Sequence, residues 1–285
     1  MNIDKKHLLT FENIWVYSRR STVVNPSSDE TSTLATDADM SQTWLTKIKD
    51  KFKIGSDPAP STHKRELITG VSGTLLEGQM TVLTGHSGSG KSVLLKVLAG
   101  LSSLTTGDVW LRQDNDKHKD SDGQNSNNYH SIHNTSPTRW RAQVALLAQH
   151  PQLLEGSVLE NLQMPYRLQA YQHSQFNIDW HITQLASLER TAEFLQQDAS
   201  HLSGGERQLV NTLRLLQLNP QVLLLDEPTA ALDAETSAKL VHLLISWLHS
   251  EPKRTLLWIT HDTQDIMPLA NQHWQMQAGV LTEVF

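Results

Sequence analysis

Gly85-His86-Ser87-Gly88-Ser89-Gly90-Lys91-Ser92 carries the pattern G-x-x-x-x-G-K-[ST], which holds phosphate groups when it sits between a strand and a helix. Glycines let the backbone curl until several N–H groups face inward, and the start of the helix adds partial positive charge. Lys91 would reach the β- and γ-phosphates of a nucleotide, and the Ser92 hydroxyl would ligate Mg²⁺. The setting is present: the apolar run Met80–Thr84 precedes the loop, and a helical pattern from Val93 to Leu98 follows, closing at Ala99-Gly100. A second constellation is Val222-Leu223-Leu224-Leu225-Asp226-Glu227-Pro228. An apolar strand that ends in two carboxylates delivers them to the carboxyl edge of a parallel sheet, where such folds bind ligands. Asp226 would hold Mg²⁺ directly or through water, and Glu227 would act on an attacking water as general base, a role worth roughly 10²- to 10⁴-fold in rate. A third is Leu202-Ser203-Gly204-Gly205-Glu206-Arg207-Gln208. Here Ser203 is a good N-cap and Glu206 completes a capping box, with small residues leaving the first N–H groups uncovered. Taken alone, that segment reads equally well as a capped helix start.

These groups need a scaffold, and the hydrophobic pattern supplies one. Val144–Ala148, Val222–Leu225 and Leu256–Thr260 join Met80–Thr84 as short continuous apolar runs bounded by turn signals, the pattern of strands buried on both faces. Between them, Gly204–Leu218 and Ala234–His249 place leucines and valines at helical spacing. Alternation of this kind predicts an α/β fold with a mostly parallel sheet. Two polar stretches interrupt it, from about Ser18 to Lys64 and from about Arg112 to Thr138. Both read as insertions in surface loops, too poor in apolar surface to offset the entropy of ordering.

With 285 residues, the chain has room for one large domain or two small ones. Lys plus Arg is 24 against 30 for Asp plus Glu, a net charge of −6, so no nucleic acid is expected as a partner. Cysteine is absent, which removes disulfides, thiolate metal sites and Cys nucleophiles. The N-terminal stretch has no apolar core of signal-peptide length, and no apolar run is long enough to cross a bilayer. These features predict a soluble, cytoplasmic protein.

The phosphate loop, Leu202–Gln208, the strand ending in Asp226-Glu227 and the following Ala231-Leu232-Asp233 occur in the order and spacing of an ATP-binding cassette (ABC) ATPase. The resemblance covers most of the chain outside the two polar stretches. It implies a P-loop ABC cassette spanning 1–285, with an antiparallel β region beside the mostly parallel core and a helical subdomain over about 151–201. It also implies roles for further residues. Gln149 stands where the family has its Q-loop glutamine, which senses Mg²⁺ and the γ-phosphate, and His261 where it has its switch histidine. ATP would be clamped between the loop of one cassette, Gly85 to Ser92 with the Val93 N–H, and the Ser203-Gly204-Gly205 helix start of a second copy, with Asp233 at the same interface. An aromatic after the first strand (Leu8–Ile14) would stack on adenine; Trp15 and Tyr17 both qualify, and Tyr17 is favoured. The chain departs from the family pattern at Val93, where a threonine is common, at Leu209, often arginine, and at Ala230, usually serine.

The resemblance further implies a separate transmembrane permease subunit, a cassette homodimer, and a location on the inner face of the cell membrane. Gln149-His150-Pro151-Gln152-Leu153 and the run Leu213-Arg214-Leu215-Leu216-Gln217 are most similar to Fet-type iron-export ATP-binding proteins, which would make the protein an exporter subunit. The other class in view is a soluble ABC ATPase of DNA repair or translation. The repair type would need very long coiled-coil heptads between Ser92 and Leu202, and the translation type a second cassette.

Overall fold

The apolar runs expected to be strands all enter one sheet of the computed structural model, which describes residues 6–18, 65–112, 129–150, 152–261 and 263–285. The chain divides into two units, Met1–Val16 with Glu66–Phe285, and Tyr17–Arg65. Of the second unit, only Tyr17, Ser18 and Arg65 are among the described residues, so nearly all of the first expected insertion lies outside them. No described helix is long and apolar enough to cross a membrane.

Six strands form the main sheet: β3 (Met80–Thr84), β6 (Val144–Leu147), β7 (Val222–Asp226), β8 (Thr255–Ile259), β9 (Gln272–Gln277) and β10 (Val280–Glu283), in the order β10-β9-β3-β8-β7-β6. The pairings β6–β7, β7–β8, β8–β3 and β3–β9 are parallel; only β10 runs antiparallel, paired with β9. Successive side chains of a strand point to opposite faces, and β7 shows the result. Val222 and Leu224 pack into one core with Leu257 and Ile259 of β8, while Leu223 and Leu225 pack into another with Leu256 and Trp258. Both faces are covered, so the run has no polar alternation. Each buried side chain of this kind contributes roughly 1.5–3 kcal/mol of transfer free energy.

Helix α1 (Lys91–Leu98) follows β3 and lies in the first of these cores with Leu94, Leu95 and Leu98. The same core takes in a four-stranded sheet of order β2-β1-β4-β5, built from β1 (His7–Ser18), β2 (Arg65–Leu76), β4 (Thr106–Arg112) and β5 (Tyr129–Ser131). Here β4 pairs antiparallel with β1 and β5, which is the antiparallel region that the resemblance implied. The second polar stretch divides. Residues 113–128 lie outside the described residues, whereas 129–138 are taken into the fold. Ser131 of β5 donates to both Asp108 carboxylate oxygens, at 2.8 and 2.7 Å. Pro137 opens α2 (Pro137–Gln143), whose Trp140 is buried and donates its indole N–H to the Leu98 carbonyl at 2.8 Å, satisfying an end group of α1.

The other core joins α5 (Gly204–Leu216) and α6 (Ala234–Ser250) to a helical region after β6. That region contains α3 (Val158–Gln163), α4 (Ile178–Ser187) and short 3-10 turns out to His201, within the expected span 151–201. Asn219, at φ +52, and Pro220 end the α5 segment and turn the chain into β7.

Candidate functional site

Parallel strands deliver their carboxyl ends to one edge, and the loop after β3 sits there. Gly85 has φ +146, and a Cβ on it would lie 2.1 Å from the Met276 carbonyl oxygen. Gly90, at φ +110, is the N-cap of α1, and a Cβ there would lie 2.8 Å from the Leu67 carbonyl oxygen. No other residue fits either position. Lys91 folds back along the loop: Nζ donates to the Gly85 carbonyl at 2.7 Å and to the His86 carbonyl at 3.0 Å. Burial pushes its pKa down, and the charges of Glu227 and Asp226 oppose that shift. His86, Ser87 and Gly88 form the exposed tip, while Ser89 is buried and its Oγ has no partner among the described residues. Val93 is half-buried against the core, as its apolar side chain requires.

Asp226 ends β7 and is buried. Burial raises its pKa; a hydrogen bond from Ser92 and the charges of Lys96 and Lys91 pull the other way, and Glu227 adds to the rise. Glu227 follows at φ +50, its N–H donating to the Ile259 carbonyl of β8 at 3.1 Å. Both of its carboxylate oxygens are engaged. Gln149 Nε2 donates to Oε2 at 2.9 Å, and His261 Nε2 lies 3.0 Å from Oε1. Gln149 stands two residues past β6 and His261 two past β8. Lys91, Ser92, Gln149, Asp226, Glu227 and His261 thus come together from four adjacent parallel strands.

Ser203, Gly204 and Gly205 stand elsewhere. Ser203 caps α5 in a full capping box: Glu206 N–H donates to Ser203 Oγ at 3.2 Å, and Ser203 N–H donates to Glu206 Oε2 at 3.0 Å. The Ser203 N–H and the Ser203 hydroxyl, which also donates to Oε2 at 2.9 Å, hold the Glu206 carboxyl below its ordinary pKa. Gly205 packs on the next turn, where a Cβ would lie 2.9 Å from Leu232 Cδ2. Asp233 closes that turn as N-cap of α6, accepting from Thr236 N–H at 2.9 Å. The structure therefore gives Ser203 and Asp233 helix-capping work within their own chain. Tyr17 is the penultimate residue of β1; Trp15 precedes it by one strand repeat, on the face opposite buried Ile14 and Val16.

Ser203→Ala should remove the cap at a cost of about 1 kcal/mol, seen in thermal melts as a fall in Tm of about 2–4 °C. Part of that gap depends on pH. A carboxyl with a depressed folded pKa stabilises above its unfolded value and stops doing so as pH falls through the folded one. The gap between wild type and variant should therefore narrow below the ordinary glutamate pKa.

Sequence patterns gave no sign of a hairpin turn that braces the phosphate loop. Ala278 and Gly279, both at positive φ, join β9 to β10, and the Gly279 N–H donates to the Ser89 carbonyl at 2.9 Å. Thr69 N–H of β2 donates to the Gly279 carbonyl at 2.9 Å. The Ala-Gly pair between two short runs was a readable two-residue turn signal; its contact with residues 190 positions earlier was not.

A loop, an acidic strand end, a glutamine and a histidine converging on the edge of such a sheet define an ATP-binding cassette. The sequence profile of the family described as ABC transporter matches residues 68–230, and the chain belongs to that family. Among curated relatives, methionine import ATP-binding protein MetN 1 of Pseudomonas putida is 32% identical over 239 residues, which is 83% of this chain and 65% of that protein. MetN 1 of Pseudomonas fluorescens is 30% identical over 237 residues, 83% of this chain and 64% of that one. The chain thus spans a little under two thirds of the curated relatives it matches. A dimeric post-hydrolysis state of the cassette MJ0796 bound to ADP and Pi superposes with a TM-score of 0.65 at 20% identity, covering 98% of this chain and 99% of that one. A bacterial Atm1-family exporter with ATP bound gives 0.65 at 21%, covering 99% of this chain and 39% of that one. These structures share its fold.

Proposed function

We propose that this chain binds and hydrolyses ATP as one half of a head-to-tail cassette dimer and that the cycle drives a transmembrane permease subunit from the inner face of the cell membrane. The observation that carries the reading is the meeting of Glu227, Gln149 and His261 at the sheet edge beside the loop of Lys91. Inward N–H groups of the loop and the Lys91 ammonium bind the phosphates. Glu227 accepts a proton from the attacking water, and Gln149 and His261 hold its carboxylate in place until then. Ser92 and Asp226 fit Mg²⁺: they supply a hydroxyl and a buried carboxylate, hydrogen-bonded to each other, and this ion takes few protein oxygens and completes its shell with phosphate and water. When bound, Mg²⁺ would neutralise phosphate charge. Tyr17 would stack on adenine.

Gly204 and Gly205 lie beside the Ala231-Leu232 turn of their own chain, and with Ser203 they would face the γ-phosphate held by a second copy. Binding then favours the closed dimer and hydrolysis releases it. The proposal carries no cargo and no direction: the curated relatives are named methionine importers, which lends no support to the iron-export resemblance.

A mixing experiment tests the shared site. Lys91→Ala and Ser203→Arg should each be inactive alone. A mixed dimer keeps one composite site intact, so an equimolar mixture should regain about a quarter of the wild-type rate, from half the dimers carrying one working site of two. A mixture no more active than its separate components contradicts the proposal.

A further inference from the structure

A cleft of about 470 Å³ opens where α4 and the end of α5 face α6, a volume suited to a small molecule. It lies away from the nucleotide. Of its lining residues, Asn219 stands three positions before β7 and Arg254 immediately before β8. The cleft is therefore at the amino ends of the strands whose carboxyl ends lead to Glu227 and His261. Tyr166, Trp180 and Trp247 give it flat walls, and Arg254 is the lining residue with a permanent charge.

The two walls carry opposite deficits. On the α6 side, Arg254 is buried, its guanidinium 4.7 Å from the centre of the Trp247 ring. It donates to the Trp247 carbonyl at 2.6 Å, to Ser250 Oγ and to Asn219 Oδ1. All three are neutral, and among the described residues no carboxylate forms an ion pair with it. Burial lowers its pKa, and the Glu251 charge opposes that shift. The buried Trp247 indole N–H has no acceptor among the described residues. On the side of α4 and α5 the shortage is of donors. His181 Nδ1 donates to the Asn177 carbonyl at 2.7 Å, which leaves Nε2 of the neutral ring as an acceptor. Gln217 Nε2 donates to the Leu162 and Arg214 carbonyls at 2.8 and 3.2 Å. His181 Nε2 and Gln217 Oε1 are buried, and neither has a partner among the described residues. Folded proteins rarely leave such atoms unpaired.

We propose that this cleft binds a small aromatic carboxylate that carries an amino group at the end of its ring away from the carboxylate. The ring would lie between the aromatic walls. Its carboxylate would accept from Arg254 and from the Trp247 N–H, a charge-assisted pairing, and its amino group would donate to His181 Nε2 and Gln217 Oε1. Those atoms are buried, so the lining side chains must turn to meet the ligand, and the Trp247 N–H will report it. The site is independent of the functional reading given above.

Titration of the full chain with para-aminobenzoate tests this, read by NMR at the Trp247 indole N–H, the signal missing from Trp247→Phe. The signal should shift saturably with a millimolar Kd, as suits so small a ligand, and should do so equally with saturating ADP present. The matching amide, para-aminobenzamide, lacks the charge and should bind at least about tenfold more weakly. Benzoate lacks the amine and should bind several-fold more weakly, a gap that narrows in His181→Phe. Arg254→Gln should lose about tenfold in affinity and Arg254→Lys less. The absence of a saturable shift, its loss when ADP is present, an amide that binds as well as the acid, or an unchanged Kd in Arg254→Gln would each overturn the proposal. The comparison of acid with amide uses the unaltered chain, so it decides the matter even where a variant fails to fold.

Discussion

Glu227→Gln is expected to bind ATP as the parent does and to turn it over about 10³-fold more slowly, within the range for loss of a general base. The substitution is nearly isosteric, so the loop, Asp226 and the Ile259 contact of the Glu227 backbone stay as they are. Glutamine keeps an oxygen that can accept from Gln149 or His261, so the local network loses little. What disappears is the group able to take the proton of water. Affinity measured by fluorescent-nucleotide titration and turnover measured by phosphate release should therefore part company. A variant that hydrolyses ATP at the parental rate would remove Glu227 from its role.

Lys91→Ala is expected to act on the other quantity. Lys91 is almost fully buried and spans two loop carbonyls, so its charge is already desolvated and aimed when phosphate arrives. Truncating one partner of a buried charged pair costs about 2–5 kcal/mol, or about 30- to 4,000-fold in Kd. The titration should show ATP affinity falling by that factor. Burial also depresses the Lys91 pKa, so truncation removes a destabilising desolvation along with two hydrogen bonds; the melting temperature should move little, and lost binding would then report on the site. Unchanged affinity would contradict the phosphate-loop reading.

Much of this site is legible in the sequence because its chemistry is local. Gly85 to Ser92 is one contiguous segment between a strand and a helix, and each role follows from neighbours in sequence. Ser203 and Glu206 are likewise three residues apart, and the capping box expected of them is present. The parallel core was legible because burial on both faces leaves continuous apolar runs; Met80–Thr84 has the same bounds in sequence and structure. Gln149 and His261 are different. Only their order relative to strand ends pointed to them, through the family resemblance, and their contacts with Glu227 join residues 78 and 34 positions apart.

What stayed hidden was long-range or masked by composition. Residues 129–138 read as the end of a polar insertion because Tyr129, His130 and Ser131 form an edge strand three residues long, too short for a period to show. Ser131 is satisfied by Asp108, Thr135 by the Ser131 carbonyl and Tyr129 by the His7 carbonyl. The hairpin of β9 and β10 is similarly polar on one face, and its brace on the phosphate loop depends on main-chain atoms that carry no sequence signature. Arg214 stood inside a noted motif, but its partner is the Gln152 carbonyl, a group every residue possesses.

Sedimentation velocity on Glu227→Gln, with and without ATP, puts the central claim to its most direct test: that nucleotide is held jointly by the loop of one copy and the Ser203 helix start of another. With hydrolysis stalled, saturating ATP should convert the chain to a dimer holding one nucleotide per protomer, and adding Ser203→Arg should abolish that dimer while leaving single-site binding. A variant that stays monomeric with ATP fully bound would contradict the account.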